Sequence, residues 1–247
     1  EIFIECTMAA ATKTARWLVT GANRGIGLEL VKQLMQSGHV EVVAACRKSS
    51  EGLTSASPTA IVEGVDVGDD GVEAVLAAGL GEQAPFDVVV NNAGMLKKDS
   101  LPTLAPGDLL QQLNVNSVGP VRVTQALAKA GKIADGAKLV FVSSILGSIG
   151  ETSSGGMYGY RMSKAALNMA VAVLGAELPS LAGAGKGPKG TIVSAVHPGW
   201  VATDMGGERA PVTPADSAAA IIRHTAGLKE SDNGTFTDAI KASPLPW

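Results

Sequence analysis

Short apolar runs alternate with helix-length segments along most of the chain. The apolar runs, several of them rich in valine, predict seven strands at residues 16–20, 41–45, 60–65, 86–90, 138–143, 191–197 and 235–237. Between them the sequence predicts helices, the clearest at residues 26–37, 71–78, 108–130, 157–178 and 214–228. Strands that alternate with helices in this way form a parallel sheet with helices on both faces. The pattern therefore predicts a single doubly wound α/β domain of the Rossmann type, with a mainly parallel, seven-stranded sheet.

Neither an internal repeat nor a linker divides the chain, so the domain is predicted to run from residue 13 to residue 247. Residues 1–12 are interpreted as an N-terminal tail, in which Met8 is a candidate natural start. The tail has no basic stretch followed by an apolar one, so it does not resemble a secretory signal. Two irregular segments lie farther along: residues 182–190 are a predicted surface loop, and residues 204–214 are a candidate substrate lid.

Composition and charge argue against several classes of function. Hydrophobic residues make up 46% of the 247 positions, yet no run reaches the roughly 20 uninterrupted apolar residues that span a bilayer, so no membrane helix is predicted. The net charge is −3 and the basic residues are dispersed, which argues against nucleic acid as a partner. Cys6 and Cys46 form no CxxC pair and the three histidines lack ligand spacing, so neither a disulfide framework nor a metal site is predicted. The expected location is a reducing compartment, the cytoplasm.

A glycine-rich turn follows the first predicted strand and precedes the first predicted helix. In residues 20–27, TGANRGIG, the glycines have the spacing G-x-x-x-G-x-G. Glycines allow the backbone to approach a ligand closely, and the amides and dipole of a helix N-terminus attract a pyrophosphate. An ordinary strand-to-helix turn also uses glycine, but three glycines at this junction favour dinucleotide binding.

The residue about 20 positions beyond the last glycine usually distinguishes NAD from NADP. Here that position holds Arg47, followed by Lys48, and Arg24 in the turn is a candidate for the same spot. A guanidinium pairs with the 2′-phosphate of NADP, whereas a carboxylate would repel it. The alternative is that Arg47 and Lys48 are solvated loop charges. The interpretation favours NADPH over NADH as the cofactor.

Tyr160 and Lys164 are candidates for acid and base chemistry. They stand four residues apart in YRMSK, which places them on one face of a helix. A nearby ammonium group lowers the pKa of a phenol from its usual value of about 10. The spacing therefore predicts a tuned proton donor, although Tyr-x-x-x-Lys also occurs by chance on exposed helices.

Seven short motifs are spread along the chain. They are TGANRGIG (20–27), DV (66–67), NNAG (91–94), NVNSVG with Asn116, VSSILGS with Ser144, YRMSK (160–164) and HPGWVATDM (197–205). In this order they resemble the short-chain dehydrogenase/reductases, and the resemblance covers nearly the whole chain. Within that family the motifs, together with the C-terminal LPW, are most similar to the Sniffer-type carbonyl reductases and C-factor proteins.

The resemblance implies a catalytic tetrad of Asn116, Ser144, Tyr160 and Lys164. Ser144 matches the second serine of the family's pair, and residues 151–156 make the interval from Ser144 to Tyr160 longer than in many members. The resemblance also implies that Tyr160 and Lys164 contact the cofactor, together with Gly21, Asn23, Arg24, Ile26, Gly27, Asp66, Val67, Asn92, Ala93, Gly94, Pro198, Gly199, Val201 and Thr203. Taken singly, such residues also have structural explanations: Asn116 as a helix interruption, Ser144 as a strand end, Asp66 as a helix N-cap.

The implied function is NADPH-dependent reduction of an aldehyde, ketone or quinone to an alcohol. Tyr160 would act as general acid, Ser144 would hold the carbonyl oxygen, and Lys164 would lower the phenol pKa and bind the nicotinamide ribose. Asn116 would kink its helix and hold a water that relays protons. Two alternatives remain open: NADP-dependent oxidation of a secondary alcohol, and a signalling protein of the same fold that binds NAD(P) without turnover.

Expectations about the substrate and the assembly follow from the same resemblance. The short candidate lid predicts an open site for varied or bulky planar carbonyls, with Trp200 and Met205 as candidate substrate contacts. The helices that carry Asn116 and Tyr160 are expected to pair copies of the chain into a homodimer or homotetramer.

Overall fold

The computed structural model describes residues 14–247, so the predicted tail with Met8, and also Cys6, lie outside the described residues. The strands are β1 (Ala15–Thr20), β2 (Val40–Ala45), β3 (Ala60–Val62), β4 (Phe86–Asn91), β5 (Ile133–Val142), β6 (Ile192–His197), β7 (Thr235–Asp238) and β8 (Ser243–Pro244). The helices are α1 (Gly25–Ser37), α2 (Glu51–Ser55), α3 (Val72–Leu80), α4 (Pro106–Leu113), α5 (Gly119–Lys129), α6 (Tyr158–Gly183) and α7 (Pro214–Gly227).

The strands form one sheet in the order β3-β2-β1-β4-β5-β6-β7-β8. Every neighbouring pair is parallel except β7 and β8, which are antiparallel. The predicted doubly wound, mainly parallel sheet is confirmed, and β8 adds an eighth strand that is too short to show a period in the sequence. The strand order reverses between β1 and β4, and sheets of this kind bind ligands outside the carboxyl ends of their strands at that point.

Apolar side chains cover both faces of the sheet because successive residues of a strand point to opposite sides. On one face, Leu18 and Leu139 belong to a cluster that includes residues of α3, α5 and α6. On the other face, Val19 and Val140 belong to a cluster that includes residues of α1, α2 and α7. Burial on both faces explains why the strands are continuous valine-rich runs rather than alternating ones.

Helix α6 continues to Gly183, five residues beyond the end that the sequence predicts. Pro179 lies inside it, and proline normally ends a helix because it cannot donate a hydrogen bond to the carbonyl four residues earlier. Here that carbonyl, on Gly175, accepts a hydrogen bond of 2.8 Å from Asn233 Nδ2. A side chain from outside the helix therefore satisfies the group that proline leaves unpaired.

Within the part of the chain that the structure describes, α6 alone is long and apolar enough to cross a membrane by length and composition. Its mean hydropathy is 1.5, although polar residues interrupt its apolar ones and no long continuous apolar run is present. Leu167, Val171 and Leu178 of α6 are buried in the core beside the sheet. The apolar character of this face is thus accounted for by packing on the sheet.

Candidate active site

The glycine turn packs directly against the end of β4. Gly21 has a φ of +64°, and a Cβ added to it would lie 2.9 Å from the Cα of Ala93. A Cβ on Gly27 would lie 2.3 Å from the carbonyl oxygen of Gly21. The side-chain amide of Asn92 donates to the carbonyl oxygens of Thr20, at 2.9 Å, and Gly21, at 3.3 Å. Two motifs that are far apart in sequence, TGANRGIG and NNAG, therefore form one edge of the site.

The N-terminus of α1 completes a cradle for a phosphate. Its N-cap residue, Arg24, makes no side-chain capping hydrogen bond, and neither an acidic side chain nor a capping hydroxyl occupies the first turn. An α-helix leaves its first N–H groups without partners inside the helix, and these groups attract anions. The turn therefore fits the pyrophosphate of a dinucleotide at Gly21, Asn23, Arg24, Ile26 and Gly27.

Two basic residues, Arg47 and Lys48, are exposed at the carboxyl end of β2. This end is tied to the glycine turn, since Asn23 Nδ2 donates to the carbonyl oxygen of Lys48 at 3.0 Å and Ser50 Oγ donates to that of Asn23 at 2.7 Å. Within residues 14–247, no ion pair engages either basic side chain. Arg47 is therefore an exposed guanidinium at the end of β2 that adjoins the glycine turn.

Arg24 does not share that spot, contrary to the expectation from sequence. Its guanidinium pairs with Asp204 across 3.0 Å, and both side chains are exposed. Asp204 belongs to the segment after β6, so Arg24 points toward the candidate lid rather than toward the end of β2.

Asp66 and Val67 follow β3 in a tight turn. The predicted strand 60–65 ends early at Val62, and Gly64 then takes a φ of +77°. The Asp66 carboxylate accepts a hydrogen bond of 2.9 Å from the amide of Gly68. Helix α3 begins only at Val72, so Asp66 shapes a turn and is not the N-cap of that helix.

The segment after β6 reaches back to the glycine turn. Ser217 Oγ donates to the carbonyl oxygen of Pro198 at 2.8 Å, and Gly199 has a φ of +87°. A Cβ added to Gly25 would lie 3.4 Å from Thr203 Cγ2. Pro198, Gly199 and Thr203 thus lead the chain from the sheet to the cofactor cradle.

The candidate lid is closed at its base. Val201, which is buried, forms a β-bridge with Val212, and Trp200 Nε1 donates to the carbonyl oxygen of Gly206 at 2.8 Å. Trp200 and Met205 are exposed by 56% and 40%, which leaves both available to a substrate.

Tyr160 and Lys164 lie on the first two turns of α6, and both are buried. Lys164 Nζ is 5.8 Å from the centre of the Tyr160 ring and donates to the carbonyl oxygen of Val142 at 2.7 Å. Ser144, which follows β5, makes a side-chain hydrogen bond to Tyr160. The phenol, the hydroxyl and the ammonium group are therefore brought together at the carboxyl end of β5.

Burial dominates the acid–base properties of this pair. It raises the pKa of Tyr160 to about 12, against a smaller lowering by the hydrogen bond with Ser144. The same burial lowers the pKa of Lys164 to about 8. The sequence predicted a lowered phenol pKa, and that prediction is wrong in sign because burial, which disfavours the charged phenolate, has the larger effect.

Asn116 lies in a π-helical turn, Asn114–Val118, that interrupts the predicted helix 108–130 between α4 and α5. Pro120, the second residue of α5, lacks the N–H that a continuous α-helix would need there. Wide turns of this kind are frequent at functional sites. The Asn116 side chain accepts from the amide of Met95 at 2.7 Å and donates to the Met95 carbonyl oxygen at 2.8 Å and to Ser163 Oγ at 2.9 Å. The predicted interruption of the helix at Asn116 is present.

Gly94 joins the two parts of the site. A Cβ added to it would lie 3.2 Å from Asn116 Oδ1 and 3.7 Å from Lys164 Nζ. The NNAG motif, which packs on the glycine turn at one end, thus touches the candidate catalytic residues at the other. Two members of the predicted tetrad, Asn116 and Lys164, thus lie beside Gly94. The other two follow because Lys164 adjoins Tyr160, which Ser144 contacts.

Sequence reasoning missed a buried layer of polar residues beneath the tetrad. Ser143 Oγ donates to Asn168 Oδ1 at 2.6 Å, and Ser117 Oγ donates to the carbonyl oxygen of Ser163 at 2.6 Å. Ser163 and Asn168 recur on the same face of α6 as Tyr160 and Lys164, which is a helical spacing that the sequence contains. Within residues 14–247 no group of three or more His, Cys, Asp or Glu side chains is placed to hold a metal ion.

Similarity to known proteins identifies the family of this chain. A model described as short chain dehydrogenase matches residues 15–212. The chain belongs to this family. It is 36% identical over 225 residues to the 1-hydroxy-2-glutathionyl-2-methyl-3-butene dehydrogenase of Rhodococcus sp. (strain AD45), a match that covers 89% of this chain and 94% of the relative.

Solved structures of carbonyl reductases share the whole fold. The carbonyl reductase Sniffer of D. melanogaster is 31% identical, with a TM-score of 0.78 over 95% of this chain and 99% of that one. The NADPH-bound carbonyl reductase from chicken fatty liver is 29% identical, with a TM-score of 0.81 and the same coverage. The predicted resemblance to Sniffer-type carbonyl reductases is confirmed.

Proposed function

We propose that this short-chain dehydrogenase is an NADPH-dependent reductase that converts an aldehyde, ketone or quinone into an alcohol. The observation that carries the proposal is the buried Tyr160, hydrogen-bonded to Ser144 and close to Lys164, at the edge of the sheet where Gly94 brings the dinucleotide cradle to it. A phenol, a hydroxyl and an ammonium group are the groups needed to protonate a carbonyl oxygen and to stabilise the charge that develops there.

The residues of the glycine turn, the end of β2 and the segments after β3, β4 and β6, which together form the cofactor half of the site, fit NADPH. The cradle at Gly21 and Gly27 would hold the pyrophosphate, and Arg47 would pair with the 2′-phosphate as a charged fork. Asp66, Val67, Asn92, Ala93 and Gly94, and the later Pro198, Gly199, Val201 and Thr203, are assigned the remaining contacts. When bound, NADPH supplies the hydride; the chicken carbonyl reductase structure with NADPH bound supports this choice.

The protein's own part is to hold and move one proton. Tyr160, whose pKa is about 12, is protonated at neutral pH and donates its proton to the carbonyl oxygen as negative charge builds there. Ser144 donates a hydrogen bond to the same oxygen, and the ammonium of Lys164 stabilises the phenol oxygen as its proton leaves. Both N–H bonds of the Asn116 amide are committed to Met95 and Ser163, so we assign its side chain a positioning role.

The raised phenol pKa favours reduction over the opposite reaction. Oxidation of an alcohol needs Tyr160 as a base, in its ionised form, and that form is scarce at neutral pH when the pKa is about 12. The relative from Rhodococcus is named a dehydrogenase, so alcohol oxidation with NADP+ belongs in the same assay as the second candidate.

The proposed substrate class rests on the shape of the site entrance, beside the candidate lid. The lid is short and tied down by the pairing of Val201 with Val212, and Trp200 and Met205 are exposed beside it. Exposed apolar side chains at an open cleft accommodate flat, bulky ligands. We therefore assign isatin- and quinone-like carbonyls to the substrate range, alongside aldehydes.

We also propose that two or more copies pair through the helices bearing Asn116 and Tyr160. Both helices present exposed apolar residues: Leu110, Val118 and Val121 around the π-helical turn, and Met162, Met169 and Val173 on α6.

The test is the loss of NADPH absorbance with isatin, phenanthrenequinone and aliphatic and aromatic aldehydes. Tyr160→Phe should lower kcat by about 10²- to 10⁴-fold, because it removes the general acid, while NADPH still binds. Tyr158→Phe is the matched control, since Tyr158 is two residues away and more exposed. Turnover that survives Tyr160→Phe contradicts the mechanism, and NADPH binding without turnover of any carbonyl or alcohol favours the signalling alternative.

A further inference from the structure

The start of α6 is held by a residue from a distant part of the chain. The main-chain carbonyl of Asp99 accepts a hydrogen bond of 2.8 Å from the amide of Met157. Its carboxylate accepts one from Tyr158 at 2.5 Å and another from Gly159 at 3.0 Å. These are the three residues directly before Tyr160. A helix leaves its first amides without internal partners, and here one residue satisfies three consecutive ones.

The backbone at this junction is strained. Met157, the N-cap of α6, has φ 54° and ψ 44°, the left-handed conformation that residues other than glycine rarely adopt. Such a conformation persists only where the surroundings enforce it, and it is concentrated at functional sites. The hydrogen bond from Met157 to Asp99 is one of the contacts that enforce it here.

The other end of the same segment lies in the catalytic cluster. Residues 94–99, which we call the brace, begin at Gly94 beside Asn116 and Lys164. Met95 exchanges two hydrogen bonds with Asn116. The brace is therefore fixed to the tetrad at one end and to the first turn of α6 at the other.

The middle of the brace is fixed to α4. The amide of Lys97 donates to Gln112 Oε1 at 2.9 Å, and its ammonium pairs with Asp108 at 2.7 Å. Gln112 is fully buried, and a Cβ added to Gly159 would lie 2.3 Å from its Nε2. Alternate residues 95, 97 and 99 are thus each anchored, so the brace has little freedom to shift.

We propose that Asp99 is a positioning residue for Tyr160, which sets the place of the phenol relative to the cofactor edge at Gly94. The kinetic part of this inference rests on the proposed function. A displacement of about 1 Å at a reacting group costs up to about 100-fold in rate, so the hydrogen bonds of Asp99 to the residues before Tyr160 matter for catalysis as well as for folding.

The kinetic test compares Asp99→Asn, Asp99→Ala and Asp99→Glu. An asparagine keeps one acceptor oxygen where the carboxylate has two, so kcat should fall about ten-fold in Asp99→Asn and about 100-fold in Asp99→Ala, with partial recovery in Asp99→Glu. The Kd of NADPH should stay within about two-fold, because the cradle lies at the ends of β1 and β4.

The matched control is Asp135→Asn. Asp135 lies near the start of β5, at the end of that strand opposite to the site. Its carboxylate accepts a hydrogen bond of 2.7 Å from the amide of Lys189. This variant should leave kcat unchanged. Equal losses of kcat in Asp135→Asn and Asp99→Asn, or a loss of NADPH affinity that parallels kcat, would show general destabilisation and overturn the proposal.

A second readout does not depend on turnover. The chain has two tyrosines, so Tyr158→Phe leaves Tyr160 as the one tyrosine signal in NMR of carbon-13-labelled protein. In that background the Tyr160 phenol should stay protonated to about pH 11, and addition of Asp99→Asn should admit water and move its titration toward the usual value of about 10. An unchanged titration together with an unchanged kcat overturns the proposal. If the parent protein reduces no carbonyl, the proposed function fails, while the titration still decides the role of Asp99.

Discussion

The cofactor half and the catalytic half of the site are built from different kinds of contact. The cofactor half is built from close backbone contacts, with Gly27 against Gly21 and Gly21 against Ala93, and its charged residue, Arg47, is exposed. The catalytic half is built from buried polar side chains that come from the π-helical turn, the end of β5 and the start of α6. The cofactor half depends on glycines that let backbones touch, and the catalytic half depends on buried polar side chains.

This difference determines how each half fails. In the cofactor half an added carbon atom has nowhere to go, whereas a charge can be changed without unfolding the site because it is solvated. In the catalytic half, burial moves the pKa of Tyr160 up and that of Lys164 down, so function depends on where these groups sit and on how well water is excluded.

The largest effects are expected from one substitution made in each half. Gly27→Ala and Gly159→Ala each place a Cβ 2.3 Å from a neighbour, the carbonyl oxygen of Gly21 in one case and Gln112 Nε2 in the other. Such overlap costs about 1–3 kcal/mol, or up to about 100-fold in an equilibrium. Gly27→Ala should raise the Kd of NADPH by about that factor.

Gly159→Ala should instead lower kcat and leave NADPH binding nearly unchanged, since the overlap lies beside Tyr160. The two variants serve as controls for each other, measured by NADPH fluorescence titration and by steady-state kinetics. If both variants lose affinity and kcat together, the two halves of the site are one mechanical unit and do not fail independently.

An intermediate effect is expected from Arg47→Asp. A hydrogen bond to a charged group contributes about 1.5–3 kcal/mol, so the ratio of kcat/KM for NADPH to that for NADH should fall about 10- to 100-fold. Arg223→Asp, at an exposed arginine on α7, makes the same change in net charge and should leave the ratio alone. An unchanged ratio in Arg47→Asp would mean that Arg47 is a solvated loop charge and that NADPH is recognised elsewhere.

The cofactor half was the easier one to predict from sequence, for a physical reason. Its glycines lie within eight residues, between a strand and a helix, and their backbone requirement is visible in the residue type itself. The parallel sheet was predictable as well, since burial on both faces leaves continuous valine-rich runs such as those in β4 and β5. Tyr160 and Lys164 were found because their spacing of four is a property of any helix.

What the sequence did not reveal depends on contacts between distant residues. Helix α6 passes Pro179 because Asn233, far along the chain, satisfies the Gly175 carbonyl. The sign of the Tyr160 pKa shift depends on burial, which a spacing rule does not contain. Asp99 lies 59 positions before Tyr158, so nothing local marks it as the residue that holds the start of α6.

The smallest expected effect is the pH response of the catalytic half. Burial lowers the pKa of Lys164 to about 8, so its ammonium loses the proton as pH rises through that value. The charge stabilises the Tyr160 oxygen as it gives up its proton, and kcat/KM for reduction, which reports the free enzyme, should therefore fall about four-fold by pH 8.5. Tyr160, with a pKa of about 12, does not change its protonation in this range and adds no second decrease to the pH–rate profile. Arg47→Asp should show the same decrease of kcat/KM with pH, because the shift in the Lys164 pKa arises from burial in the other half of the site. A rate that stays level up to pH 10 would mean that Lys164 keeps its charge. Burial of the catalytic half would then not lower the pKa of Lys164, and the two halves would not differ in this electrostatic respect.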